Sequence, residues 1–214
     1  MLTPEEHLAW TAIGRVNVGG LKTRSTCTGT LVAPDLVLTA AHCIAPRALR
    51  AEDPEDVHFV AGWHLGKYAA HRTARSIHLH PDYVPGRMSP EDLHADVALL
   101  VLETAISSEA ASPVPLGAMP NFADAVEILA YSNRRPGALA RAGPCPAVAM
   151  GERLLGLTCA VEGGNSGAPV LRTAGDDVAM VAVAVARNTG DGGFRSFAVR
   201  APDILFELAG RPVP

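Results

Sequence analysis

No run of about eighteen apolar residues occurs in this 214-residue chain, so no segment offers a transmembrane helix. A cationic excess is missing too. Lys and Arg number 18 against 22 Asp and Glu, a formal charge of −4, which argues against a nucleic-acid partner. The adjacent pair Arg134-Arg135 suits a solvated loop better than a phosphate clamp. The opening MLTPEEHLAW lacks the basic-then-apolar pattern of a secretory signal, so the protein is either cytosolic or has had its signal removed. There is no repeat period and no low-complexity tract. The acidic run Glu52-Asp53-Pro54-Glu55-Asp56 lacks EF-hand spacing and reads as a solvated loop. His78-Leu79-His80 puts two imidazoles on one side of a strand, but no carboxylate motif accompanies them. They are expected to be a surface-facing pair, with no metal and no cofactor.

What is present is a chain long enough to bury a core, as one large domain or two small ones, with 48% hydrophobic residues. Cys27, Cys43, Cys145 and Cys159 include no CxxC pair, which disfavours a zinc ribbon. Spaced as two loops, one in each half of the chain, they look like two disulfides, which implies an oxidising compartment. Four buried free thiols would leave the same sequence.

Helix signals are few. Thr3-Pro4-Glu5-Glu6 reads as a capping box with proline at the first helical position. Pro202-Asp203 followed by ILFELAG reads as a terminal helix closed by Gly210. Between them the pattern is β. CTGTLV (27–32) and LVLTAAHC (36–43) flank the turn Ala33-Pro34-Asp35, a hairpin signal. Further strands are expected at 96–102, 125–131, 169–173, 178–185 and 194–199. Many short strands punctuated by glycine and proline indicate a sandwich or barrel. Residues 104–120, with small residues and three prolines, are the candidate linker.

EGGNSGAPV (162–170) sets Ser166 in a glycine-rich turn, where a serine is ordinarily no more than a turn residue. A nucleophilic serine needs a base to take its proton, and that base needs an orienting group. His42 lies in LTAAHC, at the end of an apolar strand, where a Cys27–Cys43 bridge would staple its loop to the preceding strand. Asp96 opens the apolar strand DVALLVL. Taken singly, the histidine could be a satisfied core or surface residue and the aspartate a turn cap. The order His42, Asp96, Ser166 separates this set from the two other common serine-triad orders.

With LTAAHC, DVALL, GNSGAP and the cysteine sixteen positions before Cys43, the chain resembles the chymotrypsin/trypsin-like serine peptidases. The likeness is greater to their bacterial branch, which includes the glutamyl endopeptidases, and runs from about residue 12 to the C-terminal helix. The resemblance implies an all-β fold of two six-stranded antiparallel β-barrels with a short C-terminal helix. His42 and Asp96 would fall in a first half (1–106), residues 107–120 would link, and Ser166 with the specificity pocket would fall in a second half (121–214). It also implies Ser166 as nucleophile, His42 as general base and then acid, Asp96 as the orienting carboxylate, and the Gly164 and Ser166 amides as oxyanion donors. Gly163-Gly164 has its own physical reading, since glycine supplies cheaply the torsions that aim N–H groups at a developing oxyanion. Cys145–Cys159 is left as the second disulfide by elimination.

Asn165 departs from the trypsin-like zymogens, where an aspartate before the serine receives the new N-terminal ammonium. An amide offers no charge to an inserted amine, so the oxyanion loop is expected not to depend on one. Primary specificity maps to Ala160 at the pocket base and to strand 181–187, including Val185, with Arg187 near the mouth and the loop 188–193 alongside. With neither an acidic base nor a histidine on that strand, a small or uncharged P1 residue is expected. The resemblance points to a secreted or periplasmic monomer acting on peptides or proteins. A silent fold used as a protein-binding module is the alternative. An α/β-hydrolase is excluded by the triad order and by Pro169 soon after the serine.

Overall fold

Ile13–Val18 (β1), Cys27–Ala33 (β2), Leu36–Thr39 (β3), Val57–Ala61 (β4), Ala70–Leu79 (β5) and Ala98–Leu102 (β6) close into one barrel in the order β1-β2-β3-β6-β5-β4. A second barrel is built from Ala125–Ser132 (β7), Arg135–Ala149 (β8), Leu154–Leu157 (β9), Pro169–Ala174 (β10), Asp177–Arg187 (β11) and Ser196–Arg200 (β12), ordered β10-β11-β12-β9-β8-β7. Every ladder within them is antiparallel. The structure is a computed structural model and describes residues 1–20, 27–45, 51–118, 125–175, 177–190 and 193–209. Gly210, expected to end the last helix, lies outside the described residues, as do 119–120 of the expected linker and 191–192 of the loop 188–193.

Local rules account for much of this. Pro34-Asp35 turns the chain between β2 and β3, whose apolar residues are buried along nearly their whole length. Thr3 caps the short helix α1 (Pro4–Leu8) with the reciprocal Thr3 and Glu6 bonds of a capping box. A further single turn, α2 (Pro90–Leu93), precedes Asp96, and α3 (Ala201–Ala209) follows β12 and buries Ile204, Leu205 and Leu208. One buried apolar cluster fills the first barrel and continues into the contact between barrels. A second fills the other barrel. Both disulfides are formed, Cys27–Cys43 and Cys145–Cys159.

The two-histidine segment is a correction to the sequence reading. His78 is exposed, but His80 is only 3% exposed. β5 stops at Leu79, and α3 returns over the strand end to bring Glu207 Oε2 within 3.2 Å of His80 Nε2. Arg153 binds the same carboxylate, Nη1 to Oε2 at 2.8 Å. A strand pattern cannot announce a helix that arrives from the far end of the chain. Among the described residues, no helix is long and apolar enough to cross a membrane.

Candidate active site

β3 ends at Thr39 and the chain enters one 3-10 turn, Ala41–Cys43, which carries His42. The turn is closed by Cys43 N–H to Ala40 O and fastened to the start of β2 by the Cys27–Cys43 bridge. Asp96 sits two residues before β6, its backbone N–H bonded to Leu93 O at the end of α2. It is 4% exposed, a depth at which a carboxylate must be hydrogen-bonded. Both its oxygens are used. Oδ2 meets His42 Nδ1 at 2.7 Å, and Oδ1 accepts the His42 backbone N–H at 2.9 Å. With Nδ1 donating to the carboxylate, Nε2 is left as the basic nitrogen.

Burial works to lower the His42 pKa, but the Asp96 hydrogen bond and negative charge outweigh it, and the imidazole is raised above its ordinary value. Nearby, Tyr83 donates its hydroxyl to Ala45 O at 3.1 Å. Burial first, then the Asp96 charge, pushes this phenol up to about 12, so it stays neutral.

Ser166 lies on the loop between β9 and β10, and with His42 it lines a cleft of about 470 Å³. The loop is locked by Asn165. Its Nδ2 donates to Tyr131 O and its Oδ1 accepts Glu162 N–H, each at 2.8 Å. Gly167 must be glycine: its φ is +82°, and a Cβ would stand 2.1 Å from Thr28 O. Gly164, at φ +98°, is equally confined, because a Cβ there would lie 2.8 Å from Asn133 N. The amides of Asn165, Gly167 and Ala168 all bond to carbonyls of the protein. Among the described residues, those of Gly164 and Ser166 have no protein acceptor.

Val161, Ala184, Val185 and Ala186 wall the cleft, with Arg187 at the end of β11 also lining it. Val185 and Arg187, both expected at the specificity pocket, line this cleft. Ala160 is exposed and does not line the cleft, and Val161 takes the neighbouring wall instead. Gly86 and Met88 line it from the first barrel. Nothing in their sequence distinguishes them from any loop residue, and only the closing of β5 onto β6 brings them in. Cys27, His42 and Cys43 lie close enough together to suggest a metal site, but both sulfurs are spent in the disulfide. The arrangement can therefore supply a hydroxyl and a raised-pKa imidazole with its carboxylate at one cleft, and beside them two amides that have no protein acceptor among the described residues.

The model for the trypsin-like peptidase domain matches residues 27–180. A solved structure of a Glu endopeptidase in complex with MPD superimposes with a TM-score of 0.74 at 20% identity, covering 98% of this chain and 94% of that one. A thermostable serine protease, AL20, from an extremophilic microorganism superimposes with a TM-score of 0.67 at 19% identity, covering 89% of this chain and 90% of that one. Such identities speak for the chymotrypsin-like fold. No curated protein sequence matches the chain.

Proposed function

Because this chain belongs to the trypsin-like peptidase family, we propose that it is a serine endopeptidase that cleaves peptide bonds through an acyl-enzyme. Ser166 Oγ attacks the scissile carbonyl while His42 Nε2 takes its proton, and the same nitrogen then protonates the leaving amine. Asp96 holds the tautomer and stabilises the imidazolium. The Gly164 and Ser166 amides receive the oxyanion of the tetrahedral intermediate. Water then enters, gives its proton to His42 and releases the acid. The chain's halves (1–106 and 121–214, joined by 107–120) contribute His42 with Asp96, and Ser166 with the pocket, respectively.

The observation that carries this reading is the two-point grip of Asp96 on His42 beside a cleft shared with Ser166. The Asn165 lock supports a loop formed without an inserted ammonium group, since both ends of the amide are already satisfied within the chain. The uncharged wall of Val161, Ala184, Val185 and Ala186 supports a small or uncharged P1 residue, with Arg187 solvated at the rim. The two disulfides favour a secreted or periplasmic protein; within this proposal it is one of the bacterial branch and acts as a monomer on peptide or protein substrates.

The test is covalent labelling with a fluorophosphonate probe, mapped by mass spectrometry. Labelling at Ser166 that disappears in both Ser166→Ala and His42→Ala is the expected result. No labelling of protein with intact disulfides would overturn the reading in favour of a binding module. A peptide-library cleavage profile then tests specificity, and dominant cleavage after acidic residues would overturn the uncharged P1 preference and implicate Arg187.

A further inference from the structure

Four successive carbonyls of the serine loop each accept a hydrogen bond. Gly163 O is held by Asn133 N–H at 2.7 Å, Gly164 O by the Thr28 hydroxyl at 2.9 Å, Asn165 O by Ala168 N–H at 3.0 Å, and Ser166 O by Thr28 N–H at 2.8 Å. A trans peptide is planar, so fixing a carbonyl fixes the N–H of the next residue on the opposite edge. The bonds to Gly163 O and Asn165 O thus orient the Gly164 and Ser166 amides directly. The bonds from Thr28 fix the peptide planes on either side of the one that carries the Ser166 amide.

Thr28 is in β2 of the first barrel and is fully buried, whereas the loop it holds belongs to the second. Every polar group of the residue is engaged. Its hydroxyl, besides donating to Gly164 O, accepts Tyr131 N–H at 3.1 Å, and its carbonyl accepts from the Thr39 hydroxyl at 2.8 Å. The Gly164 carbonyl needs this grip, because it follows two successive glycines, Gly163 and Gly164, whose torsions are otherwise cheap to change. Gly164 at φ +98° can exchange one peptide orientation for another unless its oxygen is held.

From this we infer that Thr28 is a positioning residue for the reaction, acting from the opposite barrel through its hydroxyl to keep the oxyanion amides aimed. The inference rests on the peptidase reading of Ser166. It makes oxyanion stabilisation depend on the contact between barrels and goes beyond the groups that touch substrate.

Thr28→Val keeps the shape and the backbone N–H but removes both hydroxyl bonds, and Thr28→Ser restores them. Steady-state kinetics of both are compared with the wild type on a peptide ester or amide, with the folded fraction read by near-UV circular dichroism. Thr28→Val is expected to lower kcat roughly ten- to a hundredfold with KM within about twofold, since the loss falls on the transition state. Thr28→Ser should recover most of that loss. Affinity for a peptide aldehyde, whose hemiacetal oxygen occupies the oxyanion position, should fall with kcat, while affinity for a product peptide stays. Where valine does not fold, Thr28→Ala is compared with Thr28→Ser in the same way.

A folded Thr28→Val with kcat within about twofold of wild type would overturn the inference. So would a Thr28→Ser as impaired as the valine variant, which would assign the loss to packing. Wild-type protein that neither turns over nor labels at Ser166 overturns the peptidase reading itself and this inference with it. A wild type that turns over alongside an unimpaired Thr28→Val overturns the inference alone.

Discussion

Asp96 grips His42 at two points, ring nitrogen and backbone amide, so one buried carboxylate fixes both the tautomer of the imidazole and the turn that carries it. Replacing it with asparagine keeps the shape but removes the charge and reverses one hydrogen-bonding edge. Asp96→Asn should lower kcat/KM by roughly 10²–10⁴-fold, the range that general-base catalysis supplies. Steady-state rates with folding checked by circular dichroism give the comparison.

The same pair sets the pH dependence. Because His42 is raised above its ordinary value of 6.5, kcat/KM of the wild type should rise with pH through a midpoint above 6.5. In Asp96→Asn only burial remains to act on the imidazole, and the midpoint should fall below that value. Stability runs in the opposite sense. The folded form holds the proton more tightly than the unfolded chain, so the pair contributes fully below pH 6.5 and loses its contribution as pH rises through the raised pKa. A pH–rate profile of both proteins measures the first effect.

Asn165 is the test of a loop that forms without help from the chain terminus. An added N-terminal extension should leave kcat/KM within about twofold, because the Asn165 amide is satisfied by Tyr131 O and Glu162 N–H and, among the described residues, bonds to no group of the first residues of the chain. Asn165→Asp should be impaired, since its carboxylate oxygen would face Tyr131 O at the 2.8 Å now bridged by an N–H donor. A large loss in the extended form would mean that the terminus does enter the loop.

The two disulfides close loops of similar length, with sequence separations of 16 and 14. Each is worth about 3 kcal/mol by loop-closure entropy, or roughly 6–12 °C in thermal midpoint for a chain of this size. Replacing either pair with serines should therefore cost similar stability. Activity separates them. Below the melting transition only loss of Cys27–Cys43, which fastens the His42 turn, should lower kcat. Equal kcat in the two double mutants would show that the turn holds its geometry unaided.

His80 supplies an acid-sensitive element. Burial lowers its pKa, helped by His94 and opposed by Glu207 and Asp82, with Arg153 bound to the same Glu207. The folded form thus resists protonation, and its contribution to stability is present above pH 6.5 and lost as pH falls through the depressed pKa. Thermal midpoints measured from about pH 8 to pH 5 should fall more steeply in the wild type than in His80→Gln. Parallel curves would remove His80 from the cause.

The strands that could be read from sequence are those whose apolar runs are self-evident, such as β3, β6 and β11, and the turn residues that bound them. β8 could not be read. Arg135–Ala149 carries Pro136, Pro144 and Pro146 with two glycines, a composition that argues against a strand, yet it pairs with both β7 and β9. Barrel closure overrides propensity there. At the cleft, His42, Asp96 and Ser166 were legible because each sits in a short motif. Thr28 and Met88 were not, because their roles arise where two separately closed barrels meet. Val161, not Ala160, stands at the wall, and the residue types alone do not tell which of two neighbouring side chains turns inward.

The two ends of the chain cross over. α3, which follows the last strand of the second barrel, packs on β5 and β6 of the first and places Glu207 on His80. The segment before β1 reaches the other way, with Leu2 N–H bonded to Leu139 O in β8. Each barrel thus wears a strap sewn to the other. A single nick between β6 and β7 would accordingly leave a two-piece protein that still holds together, and halves expressed as separate polypeptides would have two grips by which to find each other.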